Sequence, residues 1–385
     1  MPDRSNDERF MRRALALAHQ GIGLASPNPY VGAVIVDAKG NVAGEGVYTY
    51  VGKKHAEVLA LERVGERAGG GTLYINLEPH SHQGRTPPCT DALIGAGIKR
   101  VVASMPDPNP KVSGRGFEKL RDAGIAVEVG LLEAEAKILN EGFARFIRHG
   151  VPLVTLKAAM TLDGKIALAD QAPNRVEGVP AGGWITGEAA RAHVHQQRHQ
   201  SDALMVGVGT ILADDPLLTD RSGRPRRRPL LRVILDSNLR LPISSRLVQS
   251  AAKAGCGVLD VLVFCSSEDD RKRTELEAHG VHVEKVPASA EGRLDISAIL
   301  RRLGELDTTS LMIEGGASMI GSVLSCGLVD KVFLYYAPIL CGDARSVPFA
   351  RGADLDQPLR VIHSRLHHFD DDFAIEGYLC DPYTD

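Results

Sequence analysis

Two short stretches carry residues suited to metal chemistry. One is the triplet His55-Ala56-Glu57; the other is LEPHSHQGRTPPC over residues 77–89, framed by Pro79 and Pro87-Pro88 and ending on Cys89. A histidine with a glutamate two residues on, followed by a proline-led ligand pair, is the pattern of zinc-dependent deamination of a nucleobase-like ring. Zinc takes three protein ligands and leaves a fourth position to water, whose pKa the metal lowers toward neutrality. A nearby carboxylate that does not bind the metal carries the proton from that water to the ring and to the leaving ammonia. This chemistry assigns His55 and Cys89 to the metal and Glu57 to the proton. Singly, each residue has an ordinary alternative, a satisfied histidine or a packing cysteine; the combination at this spacing points to a metal site.

Such a site constrains the elements that hold it. Residues at i and i+2 do not share a helix face, so His55 and Glu57 converge only if a helix begins there and turns its N-terminus to the site. Pro87-Pro88 suits the first turn of a second helix, which sets Cys89 where negative charge is favoured. Apolar strands are expected at Gly32–Val36, 72–77 and 100–104, with further helices over 117–123 and 132–146. An N-terminal helix is expected to be capped near Ser5 to Asp7 and to bury Phe10, Ala14 and Leu17 or Ala18. This alternation implies a layered α/β domain with a parallel or mixed sheet.

RHGVP at 148–152 reads as a domain junction. A new alternation follows, with strands expected at 153–159, 204–208, 231–235, 261–264, 281–286, 310–313 and 331–336. Within it, Val206-Gly207-Val208-Gly209-Thr210 and Glu314-Gly315-Gly316 each follow an expected strand. Glycines there admit either an ordinary strand-to-helix turn or close backbone approach to a phosphate. The loop 220–229 carries five arginines. Arg221 and Arg224 suit phosphate contacts, whereas Arg226, Arg227 and Arg228 read as a solvated basic face. Trp184 lies between a loop rich in Pro, Gly and Ala (169–183) and an expected helix start, a place for ring stacking or for core packing.

Length and composition set the frame. At roughly 150 residues per domain, 385 residues suggest two domains, and an apolar fraction of 44% fills two cores. A net charge of −3 disfavours a nucleic-acid-coating protein. No apolar run approaches the ~20 residues of a membrane span, and the N-terminal stretch lacks the apolar core of a secretion signal, so the cytoplasm is the expected compartment. The six cysteines are scattered, which suits reduced thiols; all but Cys89 read as packing residues.

Beyond these residues, the chain resembles a known family, the bifunctional deaminase–reductases of riboflavin biosynthesis. The resemblance is carried by SPNPYVGAV (26–34), HAEV, LEPHSHQGRTPPC and DPNPKVSGRG (107–116), then by LKAAMTLDGKIA (156–167), GGWIT (182–186), VGVGTILADDPLLTDR (206–221), LDS (235–237) and IEGGAS (313–318), in collinear order over nearly the whole chain. It implies an α/β chain with a cytidine-deaminase-like three-layer domain at 1–147 and a dihydrofolate-reductase-like domain at 151–385. The first would deaminate 2,5-diamino-6-ribosylamino-4(3H)-pyrimidinone 5′-phosphate with Zn2+. The second would reduce the ribosyl chain to ribityl with NADPH, by hydride transfer to C1′, with Glu314 and Asp214 as candidates to assist with protons. For the deaminase the resemblance implies His55 and Cys89 as metal ligands, Glu57 as proton shuttle, and Asn28, His82 and Arg85 as substrate contacts. For the reductase it implies Trp184, Thr210, Asp214, Ser237, Gly315, Gly316 and Ala317 as cofactor contacts, and Lys157, Gly182, Arg198, Leu218, Arg221 and Glu314 as substrate contacts. It further implies a homo-oligomer, a phosphorylated pyrimidine as substrate, and neither nucleic acid nor membrane as partner.

At one ligand position the family has cysteine and this chain has His80. His80 taking the ligand place is the favoured reading, since imidazole is a common zinc ligand at similar bond length. The alternatives are that His82 swings in at the expense of substrate binding, or that the metal is lost and only the reductase works. Tyr48 stands where the family often has histidine, which puts one polar contact to substrate in question.

Overall fold

The computed structural model describes residues 4–51, 54–82, 87–168, 184–253, 255–289, 292–355 and 357–384. The chain divides into two units, Met1–Gly150 with Pro225–Arg227, and Val151–Arg224 with Arg228–Thr384.

In the first unit, β1 (Gly32–Val36), β2 (Val42–Val47), β3 (Thr72–Ile75), β4 (Arg100–Ala103) and β5 (Ala126–Val129) form one sheet in the order β2-β1-β3-β4-β5. β1 is antiparallel to β2 and β3, while β3, β4 and β5 run parallel. Every residue of β1 is buried, because helices cover both faces. On one face lies α1 (Arg4–His19), burying Phe10, Met11, Ala14, Leu15 and Ala18. A Cβ on Gly32 would stand 2.1 Å from the Ala14 carbonyl oxygen, so only glycine lets this helix approach the strand. Asp7 anchors the same helix: it accepts the Tyr74 hydroxyl at 2.5 Å and two guanidinium bonds from Arg100 at 2.8 and 2.7 Å. The helix therefore starts ahead of the cap expected at residues 5–7, and Asp7 is a buried ion-pair partner instead of a cap.

The opposite face carries α2 (Ala56–Val64), α3 (Cys89–Gly95) and α4 (Arg115–Asp122), packed over Ala33, Ile35, Leu73, Ile75, Val101 and Ala103. Small residues recur on α2 at Ala56 and Ala60, then Val64, one per turn, so that this side faces the sheet. A Cβ on Gly46 would lie 1.9 Å from the Ala56 carbonyl oxygen, and one on Gly44 2.3 Å from that of Ala60. Backbone thus rests directly on backbone. With α5 (Glu133–His149), this is the three-layer arrangement expected.

The second unit is built on a nine-stranded sheet. It comprises β6 (Leu153–Thr161), β8 (Ala203–Gly207), β9 (Leu231–Leu235), β10 (Val261–Cys265), β11 (His282–Lys285), β12 (Ser310–Ile313), β13 (Lys331–Ala337), β15 (Ile362–Phe369) and β16 (Asp372–Tyr378). The order is β11-β10-β9-β8-β12-β6-β13-β16-β15. From β11 to β13 all pairings are parallel; β16 and β15 join as antiparallel strands at the edge. Apolar clusters flank both faces, one around Leu156, Phe264 and Ile313, the other around Val206, Ile234 and Tyr335. A separate short pair joins β7 (Lys165–Ala167) to β14 (Val347–Pro348). Among the described residues, no helix is long and apolar enough to cross a membrane.

β2, β5, β15 and β16 were not anticipated. β2 contains two glycines, and β5 and β15 are edge strands with mostly exposed residues, so none presents an apolar run. The arginine loop also departs from a purely solvated face. The Arg227 guanidinium donates to the Ser26 carbonyl and lies 4.0 Å from the centre of the Tyr50 ring. Arg228 donates to the carbonyl of Asp307 at 2.7 Å.

Gly46→Ala is expected to cost at least about 1–3 kcal/mol, because a packed helix must shift to admit the methyl group. A lowered first melting transition in calorimetry, with the second left in place, checks this.

Candidate functional site

The start of α2 and the start of α3 bring the metal-type residues together. His55 is the extended residue just before α2 (φ −71°, ψ 160°), and Glu57 lies in its first turn. Cys89 opens α3 behind Pro87-Pro88, as the sequence suggested. His80 comes from the segment that follows β3. One donor atom from each of His55, His80 and Cys89 lies within 4.8 Å of the others, and His55 Nδ1 is 3.1 Å from Cys89 Sγ. Zinc bonds of about 2.0–2.3 Å put tetrahedral donors roughly 3.3–3.8 Å apart, so the cluster has the size of a metal site. A second observation fits: His80 Nδ1 is buried and has no hydrogen-bond partner among the described residues.

The electrostatics suit a cation. Burial pushes the Cys89 thiol up, and the adjacent Glu57 carboxylate pushes it further. Burial also raises Glu57, against the pull of His55 and of its hydrogen bond with Cys89. His80 is held down at about 4 by burial and by the neighbouring His82 and His55 rings, so its imidazole is neutral, the form that binds a metal. A dication among these donors is what makes a buried thiolate the stable form.

Polar side chains fix the surrounding loops. Asn28 donates from Nδ2 to the Tyr48 hydroxyl at 2.7 Å, and the Tyr48 ring meets that of His55 edge-on at 5.7 Å. Tyr48 is thereby part of the site's wall. The loop holding Asn28 is clamped at Tyr30: Asn140 Oδ1 accepts its N–H at 2.8 Å, and Asn76 Nδ2 donates to its carbonyl at 2.8 Å. Glu78 holds the second loop by accepting the N–H groups of Asp107, Gly114 and Gly116 at 3.0, 2.8 and 2.7 Å. Asn76, Glu78 and Asn140 were not singled out from sequence. Their signal was there in part, since Asn76 and Glu78 are polar residues closing the apolar run TLYI, where burial demands partners. His82 faces His80, with the two Nε2 atoms 3.2 Å apart. Arg85 lies outside the described residues.

In the second unit, three of the expected substrate contacts meet at the carboxyl end of the sheet. Glu314, directly after β12, accepts Arg198 Nε at 2.7 Å and Nη2 at 2.8 Å, a two-pronged pair. Lys157 Nζ, from β6, lies 3.8 Å from the same carboxylate. Burial works against ionising Glu314, but Arg198 and Lys157 outweigh it and hold the carboxyl at about 2. Glu314 is therefore held as a carboxylate between Arg198 and Lys157 at neutral pH. Burial lowers Lys157, more than Glu314 restores it.

Leu218 is buried and Arg221 exposed, both at positive φ (55° and 50°), in the loop whose Thr219 carbonyl accepts Arg198 Nη1 at 2.9 Å. The expected cofactor contacts line the carboxyl ends of neighbouring strands, where ligands of open α/β sheets bind. Thr210 and Asp214 lie on α6 (Val208–Asp214) after β8, and Ser237 follows β9, its hydroxyl donating to the Gly292 carbonyl at 3.1 Å. Gly315, Gly316 and Ala317 lead into α7 (Ala317–Ser325) after β12. A Cβ on Gly207, Gly209 or Gly316 would meet no atom within 4 Å, so the backbone there is open to an approaching group. Trp184 is 58% exposed, with Arg191 5.5 Å from the centre of its ring, so it is no core residue. Gly182 lies outside the described residues.

Comparison with known proteins agrees with this division. Residues 4–105 match the cytidine and deoxycytidylate deaminase zinc-binding region, and residues 152–375 match the RibD C-terminal domain. The chain is 38% identical over 372 residues to the riboflavin biosynthesis protein RibD of Aquifex aeolicus, covering 97% of this chain and 98% of the relative. It is 41% identical over 353 residues to RibD of Escherichia coli, covering 89% and 90%. Among solved structures, Acinetobacter baumannii RibD superposes with a TM-score of 0.81 at 35% identity, covering 98% of this chain and 99% of that one. A Thermotoga maritima diaminohydroxyphosphoribosylaminopyrimidine deaminase/5-amino-6-(5-phosphoribosylamino)uracil reductase gives 0.78 at 36% identity, with the same coverage.

Glu314→Gln is expected to destabilise the second unit by about 3–5 kcal/mol near neutral pH, since it removes the carboxylate that Arg198 and Lys157 share in a largely desolvated site. A carboxyl lowered from 4.5 to about 2 stabilises the fold fully above 4.5 and loses that contribution as pH falls toward 2. The gap between wild type and variant in urea unfolding should therefore narrow over that window.

Proposed function

The chain belongs to the RibD family, the bifunctional deaminase–reductases of riboflavin biosynthesis, and from that premise we propose how its own residues divide the two reactions. The first reaction hydrolyses the amino group of 2,5-diamino-6-ribosylamino-4(3H)-pyrimidinone 5′-phosphate. The second reduces the ribosyl chain of the product to ribityl. Zn2+ and NADPH are the cofactors.

The observation that carries the deaminase reading is the meeting of His55, His80 and Cys89 beside buried Glu57. His55, His80 and Cys89 would hold the zinc, which when bound polarises water toward hydroxide. Glu57 takes one proton from the attacking water and gives it to the ring nitrogen, then takes the second from the hydroxyl of the tetrahedral adduct and gives it to the departing amino group, so that water replaces that group and ammonia leaves. Asn28, held by Tyr48, would line the pocket for the pyrimidine. No observation favours the reading in which only the reductase works.

In the second unit, NADPH supplies the hydride. Thr210, Asp214, Ser237, Trp184 and the turn Gly315-Gly316-Ala317 would bind it, the open glycines allowing close backbone approach to its phosphates. Arg198 and Arg221 would orient the substrate, with Leu218 shaping the same pocket. Lys157, made more acidic by burial, stands where it can give the proton that accompanies the hydride, while Glu314 fixes both Lys157 and Arg198. All six cysteines are free thiols, which suits a cytoplasmic enzyme. A homo-oligomer is the assembly we expect.

The test is to supply the diaminopyrimidinone phosphate with NADPH and follow ammonia and NADPH separately. Glu57→Gln should slow ammonia release by about 10²–10⁴-fold and leave NADPH consumption intact when the deaminated intermediate is added. Wild-type protein that releases no ammonia when loaded with zinc would defeat the deaminase reading.

A further inference from the structure

His80 and His82 share a contact that the proposed chemistry does not use. Their Nε2 atoms are 3.2 Å apart, and their rings meet edge to face with centroids 4.0 Å apart. His80 belongs to the donor cluster with His55 and Cys89, and its buried Nδ1 has no hydrogen-bond partner among the described residues. An imidazole binds a metal through a nitrogen lone pair, so its proton sits on the other nitrogen. If His80 turns Nδ1 to the metal, it carries its proton on Nε2 and donates it to His82 Nε2. His82 then keeps its own proton on Nδ1, and its ring lies within electrostatic reach of Asp107, on the loop that Glu78 holds.

A thiolate sulfur has no ring plane and no tautomer to fix. An imidazole has both, and a ligand of this kind is oriented by the partner of its second nitrogen. We propose that His82 is a positioning residue for the third metal ligand. It fixes the tautomer and ring angle of His80, and so lets an imidazole serve where the family has a cysteine. The inference rests on the zinc reading above.

The experiment uses the full chain as wild type, His82→Ala and His82→Gln, each loaded with Zn2+ and, separately, with Co2+. Glutamine places an amide oxygen near the former position of the imidazole Nε2 and can accept from His80. In chelator competition, His82→Ala should hold zinc about 10- to 100-fold more weakly, and His82→Gln should recover most of that loss. The visible bands of the cobalt form should shift in the alanine variant and return in the glutamine variant. Unchanged zinc affinity and an unchanged cobalt spectrum in His82→Ala would overturn the proposal. Nitrogen NMR of the zinc-loaded wild type gives an answer independent of variant folding: protonation of His80 on Nε2 supports it, and protonation on Nδ1 overturns it. A wild type that binds no zinc overturns both this proposal and the reading beneath it, whereas tight zinc indifferent to His82 overturns this proposal alone.

Discussion

The Ala56 carbonyl oxygen stands where a side chain on Gly46 would have to begin, and this backbone-to-backbone approach sets the first turn of α2. Everything in the first site follows from that placement. It fixes His55 just ahead of the helix and Glu57 in its opening turn, and it aims both at the start of α3, where Cys89 waits. Side chains with few rotatable bonds, on backbone that has no room to slide, hold their donors in register. The polar residues around them do the remaining positioning, since Asn76, Asn140 and Glu78 each satisfy loop amides or carbonyls that would otherwise be buried without partners.

The second unit solves a different problem with a different device. Glu314 is a buried carboxylate that would be costly alone, and Arg198 and Lys157 are buried cations that would be costly alone. Brought together at the carboxyl end of the sheet, they form a charged core whose geometry is set by the bidentate guanidinium. Parallel strands ending at one edge gather the glycine turns after β8 and β12 beside it, at the end of the sheet where open α/β folds bind ligands. The family assignment and this geometry agree on a reductase; the identity of each contact is our proposal.

Much of this was legible in the sequence, for physical reasons. The metal-type residues were readable because their chemistry requires rare residue types at fixed spacing, and because prolines announce the helix start at Cys89. Central strands such as β1, β8 and β10 were readable because burial on both faces leaves continuous apolar runs. The edge strands β5 and β15 were not, since solvent tolerates their polar residues, and β2 was hidden by the glycines that α2 requires. Asp7 misled as a cap because a short acid near a helix start has two uses, and only the presence of Arg100 and Tyr74, far off in sequence, decides between them. The setting of Glu314 was hidden likewise, because sequence does not reveal which cations surround a carboxylate.

The central claim is a zinc centre with two imidazoles and one thiolate, in which His80 replaces a cysteine. Zinc-edge X-ray absorption on the zinc-loaded full chain reads that donor set directly. The account predicts one sulfur at about 2.3 Å with the remaining donors nitrogen or oxygen, and multiple-scattering features of two imidazoles. Two sulfurs, or none, would contradict it.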